Sequence, residues 1–250
     1  VNLLRDTGVI WYREILRYKR NPRYLAAQIF FPLLFIIALG FGFGGIVELE
    51  GDVKYLDFLA SGVLVFFIAG GALGGGFNLI EERKEGYLKT VIIAPINRGA
   101  VILGKIAGRV TLSATQLIIF LGILTTFTSA TLDKVWLTFL SLILMAAIFV
   151  CIGILVASFW GDAEEYRMMS SFVMLPLYFL SGMFFPVSTL PPWLEAIALV
   201  NPLTYAVDLF RYSLLGVHEF NLLLSSTLLA TLLVASVTAA TIAFDKKFRE

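Results

Sequence analysis

Charge is scarce in this chain. Asp, Glu, Lys and Arg together make up 15% of its 250 residues, where a soluble domain carries about 25%. Apolar residues take up the difference at 59%, and mean hydropathy is +0.88. A deficit of that size points to a lipid bilayer rather than to a large soluble core. Net charge is only +1, so no overall field for a polyanion exists and nucleic acid is not expected as a partner. The sole cysteine, Cys151, makes an intrachain disulfide impossible. The sole histidine, His218, has no His or Cys neighbours, which argues against a zinc cluster. No Ser/His/Asp set and no paired aspartates occur in the apolar runs, so neither a hydrolase nor a proton-coupled pump is indicated. Such a pump places Asp, Glu or His where its coupling ion binds. Here Asp57 lies at a rim, and Gln28 and Gln116, the most obvious deep polar residues, do not titrate. Energy for uphill transport must come from outside this chain, and neither a metal nor a cofactor is expected in it.

What the chain does have is long apolar runs. A spanning helix needs about 20 such residues, and six segments qualify or come close: 24–47, 55–80, 106–128, 135–160, 168–185 and 221–244. The fifth is short and contains Pro176. Pro32 lies inside the first, where a bundle tolerates a kink. The first run follows a charged segment and is long enough to span, so it reads as a span and not as a cleavable signal peptide. With no repeat and no polar linker, the chain is expected to be one all-α integral membrane domain over 1–250.

Basic residues set the orientation. With the N-terminus inside, only Lys54, Lys134 and Arg211 of the 19 Lys and Arg fall in outer segments. Both termini are therefore expected in the cytoplasm, with the protein in the plasma membrane. The acidic loop "GDAEEYR", 161–167, is placed inside by alternation alone.

Two segments read as helical without spanning. In 1–22, Leu4, Gly8, Trp11, Ile15 and Tyr18 share one helical face, while Arg13, Arg17 and Arg20 lie on another. This predicts an interfacial helix with its basic residues toward anionic head groups. In 186–216, Pro186, Pro191, Pro192 and Pro202 cut an apolar stretch into pieces too short to span. Both ends must lie outside, so a re-entrant helical pair is expected, starting at Pro191–Pro192 and breaking at Asn201–Pro202. Asp208 and Arg211 are spaced to pair on one helical face.

One motif invites a nucleotide reading. Gly99, Gly104 and Lys105 in "GAVILGKI" have P-loop spacing, but Ile106 stands where the Mg²⁺-binding hydroxyl belongs and no Walker B-like strand follows. A helix start is the plainer reading. Just upstream, Glu81, Glu82, Arg83, Lys84 and Glu85 form a dense charged run, followed by Leu88, Val91 and Ile92 in helical alternation with Lys89. The residues themselves leave two readings open: a docking helix for a soluble partner, or a solvated inner loop with topogenic charge.

The stretch "EERKEGYLKTVIIAPINRGAVILGKIAGR" resembles the signature loop of ABC-2-type exporter permeases, through Glu85–Gly86, Leu88, Pro95 and Gly104–Lys105. "LSGMFFPVSTLPPWLEAIALVNPLTYAVDLFR" resembles that family's Ser-Gly, Phe-Pro, Leu-Pro and Asn-Pro run between spans five and six. "REILRYKRNPRYLAAQIFFPLLFIIALGFGFG" is similar to the first-span region of the daunorubicin-resistance-like drug and lipid exporter permeases.

The resemblance implies a permease that dimerises with a second copy of itself, each half binding a separate ATP-binding ABC subunit that holds ATP and Mg²⁺. A coupling helix over 81–97 would contact that subunit through Glu81, Glu82, Arg83, Lys84, Glu85, Gly86, Leu88, Lys89 and Val91. An outer gate would draw on Phe185, Pro186, Pro191, Asn201, Pro202, Asp208 and Arg211. Gly104 would allow close packing, and Lys105 would anchor at inner head groups. The pairs Gly40/Gly44, Gly70/Gly74, Gly71/Gly75 and Gly104/Gly108 have GxxxG spacing for helix packing, and the run before Asn78 offers a hinge. Phe30, Phe31, Phe66, Phe67, Tyr178 and Phe179 are candidates to line an apolar path, although many aromatics simply face lipid. The expected function is outward movement of a lipophilic drug-like or lipid cargo. The alternatives are export of a lipid-linked or other polysaccharide, and a non-transporting scaffold or sensor subunit.

Overall fold

The computed structural model describes residues 2–46, 53–86, 98–127, 134–160 and 162–247. Among them all regular structure is helical. The helices are α1 (Leu3–Lys19), α2 (Pro22–Phe43), α3 (Tyr55–Lys84), α4 (Arg98–Phe127), α5 (Val135–Phe159), α6 (Ala163–Phe179), α7 (Pro192–Val200), α8 (Pro202–Leu215) and α9 (Leu222–Lys247), with a 3₁₀ turn at Val187–Thr189. Five of them, α2, α3, α4, α5 and α9, are long and apolar enough to cross a membrane.

Local chemistry sets the boundaries. Asn2 caps α1 by accepting from Leu4 N, and Asn21 caps α2 by accepting from Tyr24 N, with Pro22 in the first turn. Such caps satisfy N–H groups that have no partner within the helix. Gly86 ends α3: its φ of +76° is left-handed, and its N–H reaches back to Arg83 O. Gly182, with φ +74°, turns the chain after α6.

Several expected boundaries move. The second span runs on to Lys84, so Glu81–Lys84 belong to the end of a 30-residue helix rather than to a separate loop helix; residues 87–97 lie outside the described residues. The third begins at Arg98, and Gly99–Lys105 form its first turns, which is the helix-start reading of the P-loop-like motif. The fifth is displaced and shortened to 17 residues, Ala163–Phe179. Asp162 stands at its N-cap, Glu164 and Glu165 suit its positive N-terminal end, and Leu180 and Ser181 already turn back onto Pro176 O and Tyr178 O. Most of "GDAEEYR" is therefore helix.

α3 and α5 form the centre, packed on each other, with α4, α8 and α9 completing the core. Gly76 and Gly153 let their backbones meet closely: a Cβ at either would overlap the other helix's backbone. α2 and α6 flank this core mainly through α3, and their apolar outer faces stay exposed. Side-chain contacts define two ends. At one, Arg17 pairs with Glu81, Arg83 donates to Trp160 O, and Lys84 pairs with Asp162. The loop joining α5 to α6 therefore lies at the same end as α1 and the end of α3. At the other, Thr138 bonds Ser213 and Arg211 bonds Ser61.

Candidate functional site

The first feature is a buried ion-paired junction where α1 meets α3 and α4. Glu82, 2% exposed, accepts from Lys105 Nζ at 2.7 Å, Arg13 Nη1 at 2.8 Å and Arg17 Nη1 at 3.3 Å. Lys105, 6% exposed, also reaches Glu14 at 3.3 Å. Glu81, on the half-open side, accepts from Arg17 Nη2 at 3.2 Å. Glycine makes the approach possible: a Cβ at Gly104 would come 2.5 Å from Ile10 Cβ, and one at Gly108 would come 2.6 Å from Glu14 Cβ. The Gly104/Gly108 pair thus seats α1 along α4.

This arrangement corrects three expectations. Arg13 and Arg17 turn toward Glu82 and Glu81 rather than toward lipid head groups, because the buried Glu82 carboxylate gains further charged partners there and Glu81 lies within reach of Arg17. Lys105 is not a head-group anchor but the cation at the junction's centre. The buried face of α1 is Ile10, Glu14 and Tyr18, while Leu4 and Trp11 of the expected apolar face remain exposed, Trp11 donating to Thr111 Oγ1. The charged run also divides. Glu82 faces inward and Arg83 is held at Trp160 O. Lys84 and Glu85 are exposed, Lys84 paired with Asp162, whose carboxyl its hydrogen bond holds below the usual range. Leu88, Lys89 and Val91 lie outside the described residues.

The second feature is an aromatic groove along α2, α3 and α6. Phe66 packs on Tyr178 with ring centroids 3.9 Å apart and on Phe67 at 4.8 Å; Phe35 reaches Phe67 at 5.6 Å, and Phe179 stacks with Phe184 at 5.2 Å. Three adjoining cavities follow it, of about 450, 490 and 420 Å³, each with Gly70 in its wall. The first is mainly apolar, lined by Phe35, Phe66, Tyr178, Phe179 and Phe184 with Ser170 and Ser171. The second, toward the α1 end, brings in Arg17, Asn78, Glu81 and Arg167. The third holds Tyr24, Gln28, Phe31 and Phe67. Of the expected path residues, Phe31, Phe66, Phe67, Tyr178 and Phe179 line these spaces. Phe30 does not, and it is 60% exposed.

The third feature is the helical pair at the far end. Asn201 closes α7 and caps α8: its Oδ1 accepts from Leu203 N at 3.0 Å and its Nδ2 donates to Leu177 O at 2.6 Å. Pro202 occupies the first turn of α8, while Pro191 precedes α7 and Pro192 begins it. Phe185 and Pro186 are half-buried ahead of the 3₁₀ turn. The expected Asp208–Arg211 ion pair gives way to separate partners. Asp208 accepts from Glu219 N at 2.7 Å. Arg211 donates to Gly182 O at 2.9 Å and to Ser61 Oγ, lies 3.5 Å above the Phe58 ring, and faces Glu219 at 4.0 Å. The carboxylate is drawn to the backbone of the following loop, and the guanidinium to α3.

Sequence reasoning missed Glu14 and the depth of Arg109. Glu14 was visible as an acid among the basic residues of α1. Arg109, 2% exposed, donates to Tyr24 Oη at 3.1 Å. Gln28 donates to the same hydroxyl at 2.9 Å, and Gln116 donates to Gln28 Oε1 at 2.8 Å, so the two deep glutamines meet in one network.

A family model described as ABC-2 type transporter matches residues 5–215. The ycf38 transport permease of Porphyra purpurea is 31% identical over 216 residues, 84% of this chain and 74% of that relative. The inner membrane transport permease YadH of Escherichia coli is 24% identical over 233 residues, 90% of this chain and 89% of that relative. Nodulation protein J of Neorhizobium galegae is 27% identical over 214 residues, 83% of this chain and 80% of that relative.

Proposed function

This chain belongs to the ABC-2 type transporter family, and on that premise we propose that it is the membrane subunit of an ATP-driven exporter that moves a lipophilic or lipid-like cargo outward. ABC-2 permeases work with ATP-binding subunits, and a separate such subunit would supply the energy here. The observation that carries the cargo assignment is the aromatic groove, apolar between Phe35 and Phe184 and polar toward the α1 end. A surface of that kind suits a molecule that partitions into lipid.

In this reading α6 is a sixth, short crossing, α7 and α8 form the outer re-entrant pair, and both termini are cytoplasmic. A second copy of the chain covers the exposed faces of α2 and α6, and the path follows the two-fold axis. The ATP-binding subunit docks on Lys84, Glu85 and Gly86 and on the Leu88, Lys89 and Val91 segment that follows. Glu82 is left out of that surface because its carboxylate is already held by three cations. The test is ATPase activity of the reconstituted complex in vesicles. Stimulation by a lipophilic compound, with export of that compound, is expected. An intact complex whose activity no lipophilic compound alters would favour a scaffold and overturn the export reading.

A further inference from the structure

Lys105 and Arg109 are four residues apart on α4, yet they are treated differently. Lys105 has two carboxylates, Glu82 and Glu14. Arg109 is as deeply buried, and among the described residues no carboxylate pairs with it. Its Nη1 donates to the Tyr24 hydroxyl, and the guanidinium also interacts with Tyr18, but among the described residues Nε and Nη2 find no acceptor. A buried charge is ordinarily paired and hydrogen-bonded, and an ionisable side chain inside a membrane bundle marks a functional site by default.

The surroundings open toward the groove. The third cavity, of about 420 Å³, is lined by Tyr24, Gln28 and Gly71. A Cβ at Gly71 would overlap Arg109 Nη2 and approach Gln28 Oε1 to 3.1 Å. Glycine there leaves the guanidinium directly behind the cavity wall. The Tyr24 oxygen already accepts twice, from Arg109 and from Gln28, which leaves its own proton free to donate. The Tyr24 hydroxyl thus lies in the cavity lining and Arg109 Nη2 just behind its Gly71 wall, beside Phe31, Phe66, Phe67 and Tyr178. Charge-assisted donors beside an aromatic wall match an oxyanion head carrying an apolar chain.

We propose that Arg109 and Tyr24 form the head-group subsite of the groove, taking the phosphate or carboxylate of a single-chain amphiphile whose tail lies against Phe66 and Tyr178. The proposal deepens the export reading by naming a cargo class and rests on it for that role. The test reads binding by the permease alone, so failure of one does not imply failure of the other.

The experiment uses the full chain in phosphatidylcholine nanodiscs and measures equilibrium binding of dodecyl phosphate, 1-dodecanol and inorganic phosphate. Dodecyl phosphate is expected to bind at least about tenfold more tightly than dodecanol, the scale of one charged hydrogen bond. Arg109→Gln should erase that preference by weakening the phosphate ligand alone, and Arg109→Lys should restore part of it. No acid depends on Arg109, so removing its charge leaves no buried carboxylate behind. Tyr24→Phe, which changes one oxygen, supplies an independent arm and should weaken dodecyl phosphate severalfold. Displacement of the probe by phosphatidylglycerol added to the discs would identify the occupant as bilayer lipid. No displacement would identify a separate cargo. Both outcomes uphold the oxyanion site. Unchanged preference in both Arg109→Gln and Tyr24→Phe, or inorganic phosphate binding as tightly as dodecyl phosphate, would overturn it.

Discussion

Replacing Glu82 with glutamine keeps the side chain's size and removes its charge. Three cations then lose a partner, at 2.7, 2.8 and 3.3 Å. They do not lose it equally. Arg13 and Arg17 are about one-third exposed and can turn to water. Lys105 is buried and keeps only Glu14, at 3.3 Å. Removing one member of a buried ion pair costs about 3–5 kcal/mol, chiefly because the survivor stays charged and unpaired. With Glu14 still in place, the expected loss is about 3 kcal/mol. Lys105→Met in the Glu82→Gln background removes the stranded charge and fills its volume, while Arg13, released from Glu82, stays paired with Glu14, so it should recover about 2 kcal/mol of that loss. The assay is thermal unfolding of the detergent-solubilised full chain, run as a double-mutant cycle. Glu82→Gln should melt well below the parent, and the double variant should melt between them. A Glu82→Gln protein that melts with the parent, or a double variant that sums the two single losses, would refute a buried junction. The first result would also return Glu82 to the surface, where a docking role becomes tenable.

Gly108→Leu should drive α1 off α4, since even a Cβ there comes within 2.6 Å of Glu14 Cβ. The expected cost is about 1–3 kcal/mol, read as faster tryptic cleavage at Arg13 and Arg17. Asn201→Ala removes the α8 cap and the bond to Leu177 O, and should lower stability by about 1–2 kcal/mol in the same melting assay without moving the α3–α5 core. In sealed cells, Ser188→Cys should react with an impermeant thiol reagent from outside and Glu85→Cys should not, with buried Cys151 silent in both. Outside labelling of Glu85→Cys would reverse the orientation.

How far the sequence reveals this fold depends on the kind of signal. Runs of apolar residues and proline punctuation are local, and they placed α2, α3, α5, α9 and the Asn201–Pro202 break close to where they lie. Charge partners are not local. Arg13 looks like a head-group contact until α3 brings Glu82 beside it, and the two lie 69 positions apart. Lys105 has the same character, since a lysine at the start of a span is read by default as an interfacial anchor. The pairing of Asp208 with Arg211 failed for the converse reason. Their spacing permitted contact, but a loop backbone at Glu219 and a carbonyl at Gly182 competed better. The aromatic groove lay between these extremes: the phenylalanines were easy to name, and only packing separated Phe66 from Phe30.

The glycines of α3 have a mechanical consequence. They number among the residues where a helix ordinarily bends, yet Gly70 meets the Tyr178 hydroxyl, Gly71 the Arg109 guanidinium and Gly76 the Gly153 backbone. Each of these three vacancies is filled by a neighbour, although that at Gly74 is open, and the helix runs unbroken for 30 residues, about 45 Å at 1.5 Å per residue. Such an element behaves as a strut rather than a chain of joints. Held at one end by the ions around Glu82 and at the other by Ser61 against Arg211, it turns angle into distance. A tilt of about 10° about the junction carries its far end through about 8 Å, for a helix of that length. That is wider than the thickness of an aromatic ring, so a small rotation at the charged end would be enough to part Phe58 and Ser61 from Arg211 at the other.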